Sequence, residues 1–305
     1  MPKHYKFTAV PDVFTSFAAA CAADPSLKIT TQPDLALIPR AYESDGPGDE
    51  GASQWARFAK YVRWLNERAE EGVCYKVLYL TRHGKGWHNV VHERVGNEEW
   101  DNHLSRLEGD GTITWSDAHL TEEGESQARA LSAFWSSLLQ SGAPLPTLYS
   151  SPLTRCLQTT TLIWRPILAS LSLPFRPLIK ERLREQLTDH TCDRRSPLTR
   201  IRSLFPDFAV EDGFTEDDEL WRADKWESLR DHCERKQRVL EEIFEADAAQ
   251  FVSLTVHSYA IAVILHVCGA EMFRVREGSS IGILVRAEEV GEAPAFDVGD
   301  RLEGY

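Results

Sequence analysis

Long apolar runs and paired cysteines are both missing from this sequence. No apolar run approaches the roughly 20 residues that cross a membrane, and Met1–Lys6 lacks the apolar core of a signal peptide. The six cysteines are scattered and form no Cys-x-x-Cys pair. This distribution is typical of reduced thiols and indicates neither a disulfide framework nor a zinc cluster. We therefore expect a cytosolic protein with no membrane partner.

Basic residues are also fewer than acidic ones, with 34 Lys and Arg against 47 Asp and Glu. The formal net charge is -13 over 305 residues, which argues against a general nucleic-acid-binding protein. A local group of arginines can still bind a small anion. The run Gly84-Lys85-Gly86 lacks the spacing and the Ser/Thr of a P-loop, so the sequence does not indicate a nucleoside triphosphatase. The sequence predicts no oligomeric state.

Apolar and β-branched segments alternate with segments of helical spacing. Predicted strands or extended segments cover residues 76–81, 147–150, 175–184, 251–256 and 280–285, and predicted helices cover 122–139, 152–171, 221–246 and 260–267. Ser151 is predicted to cap its helix, with proline next, and the acidic run 216–219 to begin the helix that follows it. A polar, glycine-rich stretch at 45–51 sets off an N-terminal extension. We expect one domain over residues 1–305, a three-layer α/β/α sandwich with a largely parallel sheet, on which residues 1–50 pack.

Arg82-His83-Gly84 follows directly after the predicted strand at 76–81. The guanidinium of Arg82 offers a planar fork of donors to phosphate oxygens. Gly84 allows the backbone to approach a ligand closely. Neutral imidazole is a competent nucleophile, and nearby positive charge favours the neutral form of His83. The tripeptide therefore indicates a group that could accept a phosphoryl group.

Other polar side chains also fall where predicted strands end. His257 follows the strand at 251–256, Arg155 lies in the first turn of the helix after 147–150, and Glu185 follows the extended segment 175–184. Ligands of open α/β sheets bind at such ends, so we expect these side chains to meet His83. Taken singly, each has a plainer interpretation: a satisfied structural histidine, a surface arginine, and a solvated carboxylate.

Two further candidates have more than one interpretation. Asn89 is either an amide donor to a phosphate oxygen or a helix cap. His88 and His92 stand four apart as in a zinc-protease helix, but Asn89 replaces the glutamate that would act as base and no third ligand is evident. Residues 189–193 have the residue types of metal ligands, but we interpret them as a polar loop near the mouth of the site. We expect no metal.

The combined motifs are similar to those of the histidine phosphatase superfamily, also called phosphoglycerate mutase-like. The similar segments are Arg82-His83-Gly84 with Asn89, Leu120-Thr121-Glu122-Glu123-Gly124 with Gln127, Ser150–Arg155, Glu185 and His257. More narrowly, the chain resembles a fungal group of phosphomutase-like proteins that are classed with the phosphatases, on segments such as Gly109–Thr112, His190–Asp193 and Asp218–Trp221. The resemblance covers most of the chain, including the N-terminal extension.

The resemblance implies a role for each of these residues. His83 would be the nucleophile that becomes phosphohistidine, and Glu185 would be the proton donor. The phosphate would be held by Arg82, Asn89, Arg155, His257 and the backbone N–H of Ser258. The implied chemistry needs no cofactor, because positioning and positive charge account for most of such a transfer.

Two positions depart from the pattern of the relatives. Val256 and Tyr259 flank the second histidine where a small residue and a glycine are usual, and Gln186 opens a stretch where a glycine is often found. We therefore expect the departures to affect which substrate is accepted. Side chains that we expect near the substrate are Tyr259, His190 and Lys85.

These observations favour a metal-independent phosphatase that acts on a small phosphorylated metabolite. Three alternatives stay open. A mutase of the same fold would need a site closed to water. A non-catalytic phosphate-binding protein would be favoured by loss of His83 or Arg155, but both are present. A pathway enzyme for a diphosphate or non-phosphate substrate is motivated only by Tyr259.

Overall fold

A computed structural model describes residues 3–296 and 298. The strands are β1 His4–Ala9, β2 Val73–Arg82, β3 Thr147–Ser150, β4 Leu178–Ile179, β5 Ala209–Val210, β6 Phe251–Val256 and β7 Ser280–Val290. The helices are α1 Ala18–Ala23, α2 Gln54–Glu67, α3 Trp87–Asn102, α4 Glu122–Gln140, α5 Thr154–Ser170, α6 Leu198–Leu204, α7 Leu229–Ala246 and α8 Ser258–Val267. None of the helices in the described part of the chain has the length and apolarity to cross a membrane.

The seven described strands form one mixed sheet in the order β1-β7-β2-β6-β3-β4-β5. The pairings from β2 through β6, β3 and β4 to β5 are parallel. On the other side, β7 runs antiparallel to β2, and β1 runs antiparallel to β7. The prediction of a largely parallel α/β sheet is thus confirmed, with antiparallel pairing confined to one edge.

Helices cover both faces of the sheet because the strands are apolar on both sides. Along β2, Leu78 and Leu80 pack with α7 and α8, whereas Val77 and Tyr79 pack with α2, α4 and α5. This alternation is expected for a strand buried on both faces. The fold is therefore a three-layer α/β/α sandwich.

Residues 3–50 contribute to both cores. In β1, Tyr5 and Phe7 belong to the same cluster as α7 and α8. Farther along, Leu35 and Leu37 belong to the cluster under α2 and α4. The sequence-based element assignment omitted β1, although its two aromatic residues alternate with polar ones.

Two predicted helix starts were wrong. Helix α5 begins at Thr154, not at Pro152 after a Ser151 cap. Its first N–H is instead capped by a residue distant in the sequence, because Asp117 accepts hydrogen bonds from both the N and Oγ1 of Thr154 at 2.8 Å.

Helix α7 begins at Leu229, after Ser228 as its cap, and not at Trp221. The acidic run before it does not begin a helix. Its Asp218 instead forms an ion pair with buried Arg184 at 2.7 Å, and this pair holds the run as a loop.

Candidate active site

The residues predicted from strand ends do converge. Strands β2 and β6 are paired in register Arg82↔Val256, so the residues that follow them, His83 and His257, are neighbours. The His83 N–H donates to Val256 O at 3.0 Å, and the two imidazole rings lie 5.1 Å apart between centroids. Strand β3 pairs with the far side of β6 and delivers α5, which carries Arg155, to the same edge.

His83 is held in one tautomer. Its Nδ1 lies 2.7 Å from Gly84 O, and because a carbonyl oxygen only accepts, this nitrogen must carry the proton. Nε2 therefore keeps its lone pair, toward which Arg155 Nε donates at 3.3 Å. Burial, together with the charges of Arg155 and Arg82, holds the pKa of His83 well below its ordinary value. The geometry presents a neutral imidazole nitrogen to whatever lies between the arginines.

Both arginines are fixed by the same kind of support. Arg155 Nη1 donates to Cys192 O at 2.7 Å, and Nη2 lies 3.6 Å from Asp193 Oδ1. Arg82 is bonded likewise to one carbonyl and one carboxylate of the segment that precedes β7. Among the described residues, no group bonds the buried Nε of Arg82. Each guanidinium is thus oriented while keeping donor capacity for an anion.

His257 is fully buried at the start of α8. Its Nε2 lies 2.8 Å from Ser151 Oγ and 3.4 Å from Cys156 Sγ. Burial, followed by Arg155 and His83, holds the pKa of His257 well below its ordinary value. A second neutral imidazole therefore stands beside the first.

Glu185 is bound to the beginning of α8. Its carboxylate accepts hydrogen bonds from the N–H groups of Tyr259 at 3.0 Å and Ala260 at 2.8 Å. Burial and the charge of Asp193 raise the pKa of Glu185, against the opposing effect of these hydrogen bonds. A carboxyl group that keeps its proton to higher pH than usual thus lies at the start of the helix that follows His257.

Asn89 caps a helix, and its contact with phosphate stays a prediction. Its Oδ1 accepts a hydrogen bond from Gly86 N at 3.0 Å, which caps α3. With the oxygen engaged, the amide nitrogen is the end available as a donor. Ser258 is the first residue of α8, so its N–H lies at a helix N-terminus beside His257.

The sequence-based prediction of the site missed His88. Its ring centroid lies 5.5 Å from that of His83, and burial with Arg155 and His83 holds the pKa of His88 well below its ordinary value. His92, its partner in the rejected zinc motif, instead stacks on Trp100. His88 is the second residue of α3, which begins shortly after His83, and this position could have indicated that it lies near the site. The start of α3 was not predicted from the sequence.

The three expected substrate contacts have other partners in this structure. Lys85 Nζ lies 2.8 Å from Glu93, and the ring of Tyr259 lies 5.6 Å from that of His232 on α7. The ring of His190 stands edge-on to Trp226 at 5.3 Å. Their contact with substrate stays a prediction.

One group among the described residues has metal-ligand chemistry: His190, Cys192 and Asp193, whose ligand atoms lie within 4.8 Å of one another. Asp193 is already engaged, since Thr188 Oγ1 donates to it at 2.6 Å and Arg155 lies beside it. The guanidinium would repel a cation at this point, so the donor set fits a metal ion poorly.

Comparison with known proteins adds an independent observation. A family model described as histidine phosphatase superfamily (branch 1) matches residues 78–276. The chain belongs to this superfamily. It is therefore related to enzymes of the phosphatase and mutase type.

Its relatives carry mutase names. A protein of Arthroderma benhamiae named probable phosphoglycerate mutase is 43% identical over 276 residues, which cover 90% of this chain and 82% of that one. Probable phosphoglycerate mutase PMU1 of Saccharomyces cerevisiae is 37% identical over 63% of this chain and 71% of its own length. A solved structure, Mycobacterial hydrolase 1, aligns at 20% identity with a TM-score of 0.43, over 73% of this chain and all of that one.

Proposed function

We propose that this protein is a phosphatase that hydrolyses a small phosphorylated metabolite through a phosphohistidine on His83. The observation that carries the proposal is the position of His83 Nε2. This nitrogen keeps its lone pair and accepts from Arg155, while Arg82 and His257 lie at the same strand ends.

The first step transfers the phosphoryl group to the enzyme. His83 Nε2 attacks phosphorus, the bond from phosphorus to the ester oxygen breaks, and Glu185 gives its proton to that oxygen as the alcohol leaves. The raised pKa of Glu185 keeps this proton available. The lowered pKa of His83 keeps the attacking nitrogen, Nε2, unprotonated.

The second step returns the enzyme to its starting state. Glu185, now a carboxylate, takes a proton from water, and the oxygen of that water attacks the phosphorus of phosphohistidine. The bond from phosphorus to Nε2 breaks, and inorganic phosphate leaves. Throughout, Arg82, Arg155 and neutral His257 donate to the oxygens that carry the charge, so the proposed chemistry needs no metal.

Hydrolysis of p-nitrophenyl phosphate in the presence of EDTA tests this proposal. We expect turnover with EDTA present, and a loss of several orders of magnitude in His83→Ala, as for removal of a covalent nucleophile. His103→Ala removes an exposed histidine at the end of α3 and serves as the matched control, with unchanged turnover expected. Retained activity in His83→Ala would rule the mechanism out.

A mutase of the same fold is the second candidate, favoured by the names of the relatives. A mutase of this kind acts as the phosphorylated enzyme, and a priming bisphosphate supplies that phosphoryl group. The enzyme must then hold the phosphoryl group until an acceptor returns. Transfer between positions of a phosphorylated acid would then exceed release of inorganic phosphate. Phosphate release without a primer supports the hydrolase instead.

A further inference from the structure

The segment of residues 274–280, which precedes and opens β7, binds the Arg82-His83 pair closely. Arg82 Nη1 donates to Val275 O at 2.8 Å, and Nη2 lies 2.6 Å from Glu277 Oε1. The backbone is joined as well, since Gly278 N donates to His83 O at 2.9 Å. The position of the Arg82 guanidinium therefore depends on where this segment lies.

The other side of the 274–280 segment is held by the N-terminal extension. Ile29 forms a parallel bridge with Val275, in which Ile29 N donates to Arg274 O at 2.7 Å and Arg276 N donates to Ile29 O at 2.8 Å. Ile29 and Val275 are both buried. The bridge is thus a short piece of sheet, and not a surface contact.

Two side-chain contacts extend the bridge. Thr31 Oγ1 accepts a hydrogen bond from Ser280 N at 2.9 Å, and Ser280 is buried. Lys28 Nζ lies 3.7 Å from the same Glu277 oxygen that meets Arg82, but Lys28 is exposed and contributes little. The backbone bridge and Thr31 therefore carry most of the connection.

We propose that residues 28–31 and Glu277 position Arg82 for phosphate binding, so that the N-terminal extension is part of the phosphate site. This inference rests on the proposed function and adds positioning residues to it. Residues 28–31 and 277–280 both lie outside the range 78–276 that matches the family model. The contacts that hold Arg82 from these two segments are therefore additional to the part of the chain that the family model describes. Thr31 and Glu277 act through Arg82 and do not themselves meet substrate.

Two opposite effects are possible for Glu277, and they separate a positioning role from a simple charge effect. If Glu277 only lowers the positive potential of the site, Glu277→Gln strengthens anion binding. If Glu277 orients Arg82, the same variant weakens it. Orthovanadate, a phosphate analogue, is the probe, and its dissociation constant is measured by titration calorimetry alongside KM and kcat for p-nitrophenyl phosphate.

For the carboxylate, we expect vanadate to bind Glu277→Gln at least about tenfold more weakly, because hydrogen bonds between charged groups are among the strongest. Binding equal to or tighter than that of the unaltered protein overturns the positioning role. Glu289→Gln, which removes the same negative charge from the ion pair between Lys3 and Glu289 at the other end of the extension, is the control for altered charge and is expected to bind vanadate normally.

For the extension, we expect Thr31→Val to weaken vanadate binding about three- to tenfold, the effect of one partly buried hydrogen bond. Thr31→Ser keeps the acceptor oxygen and should restore binding. Thr15→Val is the matched control, since Thr15 Oγ1 bonds Ala36 O within the extension. If Thr31→Val and Thr15→Val lower the thermal midpoint equally and neither changes vanadate binding, the extension only stabilises the fold and the inference is overturned.

The unaltered protein separates this inference from the proposed function. If it neither binds vanadate nor hydrolyses p-nitrophenyl phosphate, the proposed function fails. If it does both and the Thr31 and Glu277 variants match their controls, only the positioning role fails. Sub-additive losses in the double variant Thr31→Val/Glu277→Gln would show that the two residues act through one segment.

Discussion

At the scale of single residues, burial shifts the pKa values of two site residues in opposite directions. Burial and two guanidiniums lower the pKa of His83, whereas burial and Asp193 raise the pKa of Glu185. Burial acts in both cases against the charged form, which is the cation for histidine and the anion for glutamate. Burial thus favours the neutral form of both side chains, and these are the forms that the proposed mechanism requires.

The proposed proton donor makes a prediction that depends on the leaving group. Glycerol 2-phosphate releases a basic alkoxide and needs the proton of Glu185, so Glu185→Gln should lose about 10²- to 10⁴-fold in kcat. p-Nitrophenolate leaves without help, so the first step should stay fast with that substrate. Because hydrolysis of the phosphoenzyme still needs the base, rapid-mixing measurements should show a burst of p-nitrophenol near the enzyme concentration.

The control for this experiment is Glu219→Gln, which alters an exposed carboxylate and should change neither substrate's turnover. Equal losses of Glu185→Gln on both substrates, with no burst, would contradict the role of Glu185 as acid and base.

Much of the candidate site could be predicted from the sequence because of where its residues lie. His83, Arg155 and His257 each follow a recognisable strand, and parallel strands bring their carboxyl ends to one edge. His88 could not be found in this way, because α3 buries only Val91 and Trp100 among its described residues and so has no apolar stripe. The carbonyl and carboxylate groups that hold Arg82 and Arg155 lie in segments with no helix or strand pattern in the sequence.

At the scale of secondary-structure elements, the start of α5 is set from outside the helix. Asp117, in a left-handed conformation with φ 42°, accepts hydrogen bonds from Thr154 and from Ser196 N at 3.1 Å. A sequence-based cap must come from the neighbouring residue, so Ser151 was predicted instead. Asp117 and Thr154 are distant in the sequence, and a contact of this kind leaves no signal in the residues next to the helix.

Asp117→Ala is expected to lower the free energy of unfolding by about 1–3 kcal/mol, because it removes a helix cap and leaves buried donors unpaired. It should also weaken vanadate binding, since α5 carries Arg155 in its first turn. Urea unfolding and vanadate titration measure the two effects.

Ser53→Ala provides the comparison for Asp117→Ala. Ser53 caps α2, where its Oγ accepts from Ala56 N at 3.1 Å, and α2 carries no proposed site residue. We expect Ser53→Ala to lower stability without changing vanadate binding. A loss of stability in Asp117→Ala with unchanged vanadate binding would mean that the cap does not position Arg155.

At the scale of the whole molecule, residues 3–50 of the N-terminal extension contribute to the sheet and to both cores. We therefore propose that the extension forms one domain with the remainder. The sequence indicated the loop at 45–51 but not what the extension does. Its role depends on contacts more than 200 residues apart in the chain, such as that between Thr31 and Ser280. Pairings of this kind carry no local sequence signal.

Buried histidines make the whole fold sensitive to acid. His232 is completely buried on α7, and no described residue forms a hydrogen bond with either of its ring nitrogens, although Glu227 Oε2 lies 4.0 Å from Nδ1. Burial, followed by the charges of Arg235 and Lys236, holds its pKa well below the ordinary value. Below pH of about 6.5 the unfolded chain gains a proton that the folded chain does not, so the free energy of unfolding falls as the pH decreases.

His232→Leu should remove its share of this dependence, at most about 1.4 kcal/mol per pH unit between the ordinary and the lowered pKa. Urea unfolding at several pH values measures the slope. His103→Leu, at an exposed position, should leave the slope unchanged. An unchanged slope in His232→Leu would show that this histidine is protonated in the folded protein.

Isolation of the phosphoenzyme tests the central proposal most directly. The protein is mixed with p-nitrophenyl phosphate and EDTA, denatured in alkali, where phosphohistidine survives, and its intact mass is measured and mapped to a peptide. We expect one added phosphoryl group on His83, absent from His83→Ala and more abundant in Glu185→Gln. A phosphoryl group on another residue, or turnover without any covalent phosphoenzyme, would contradict it.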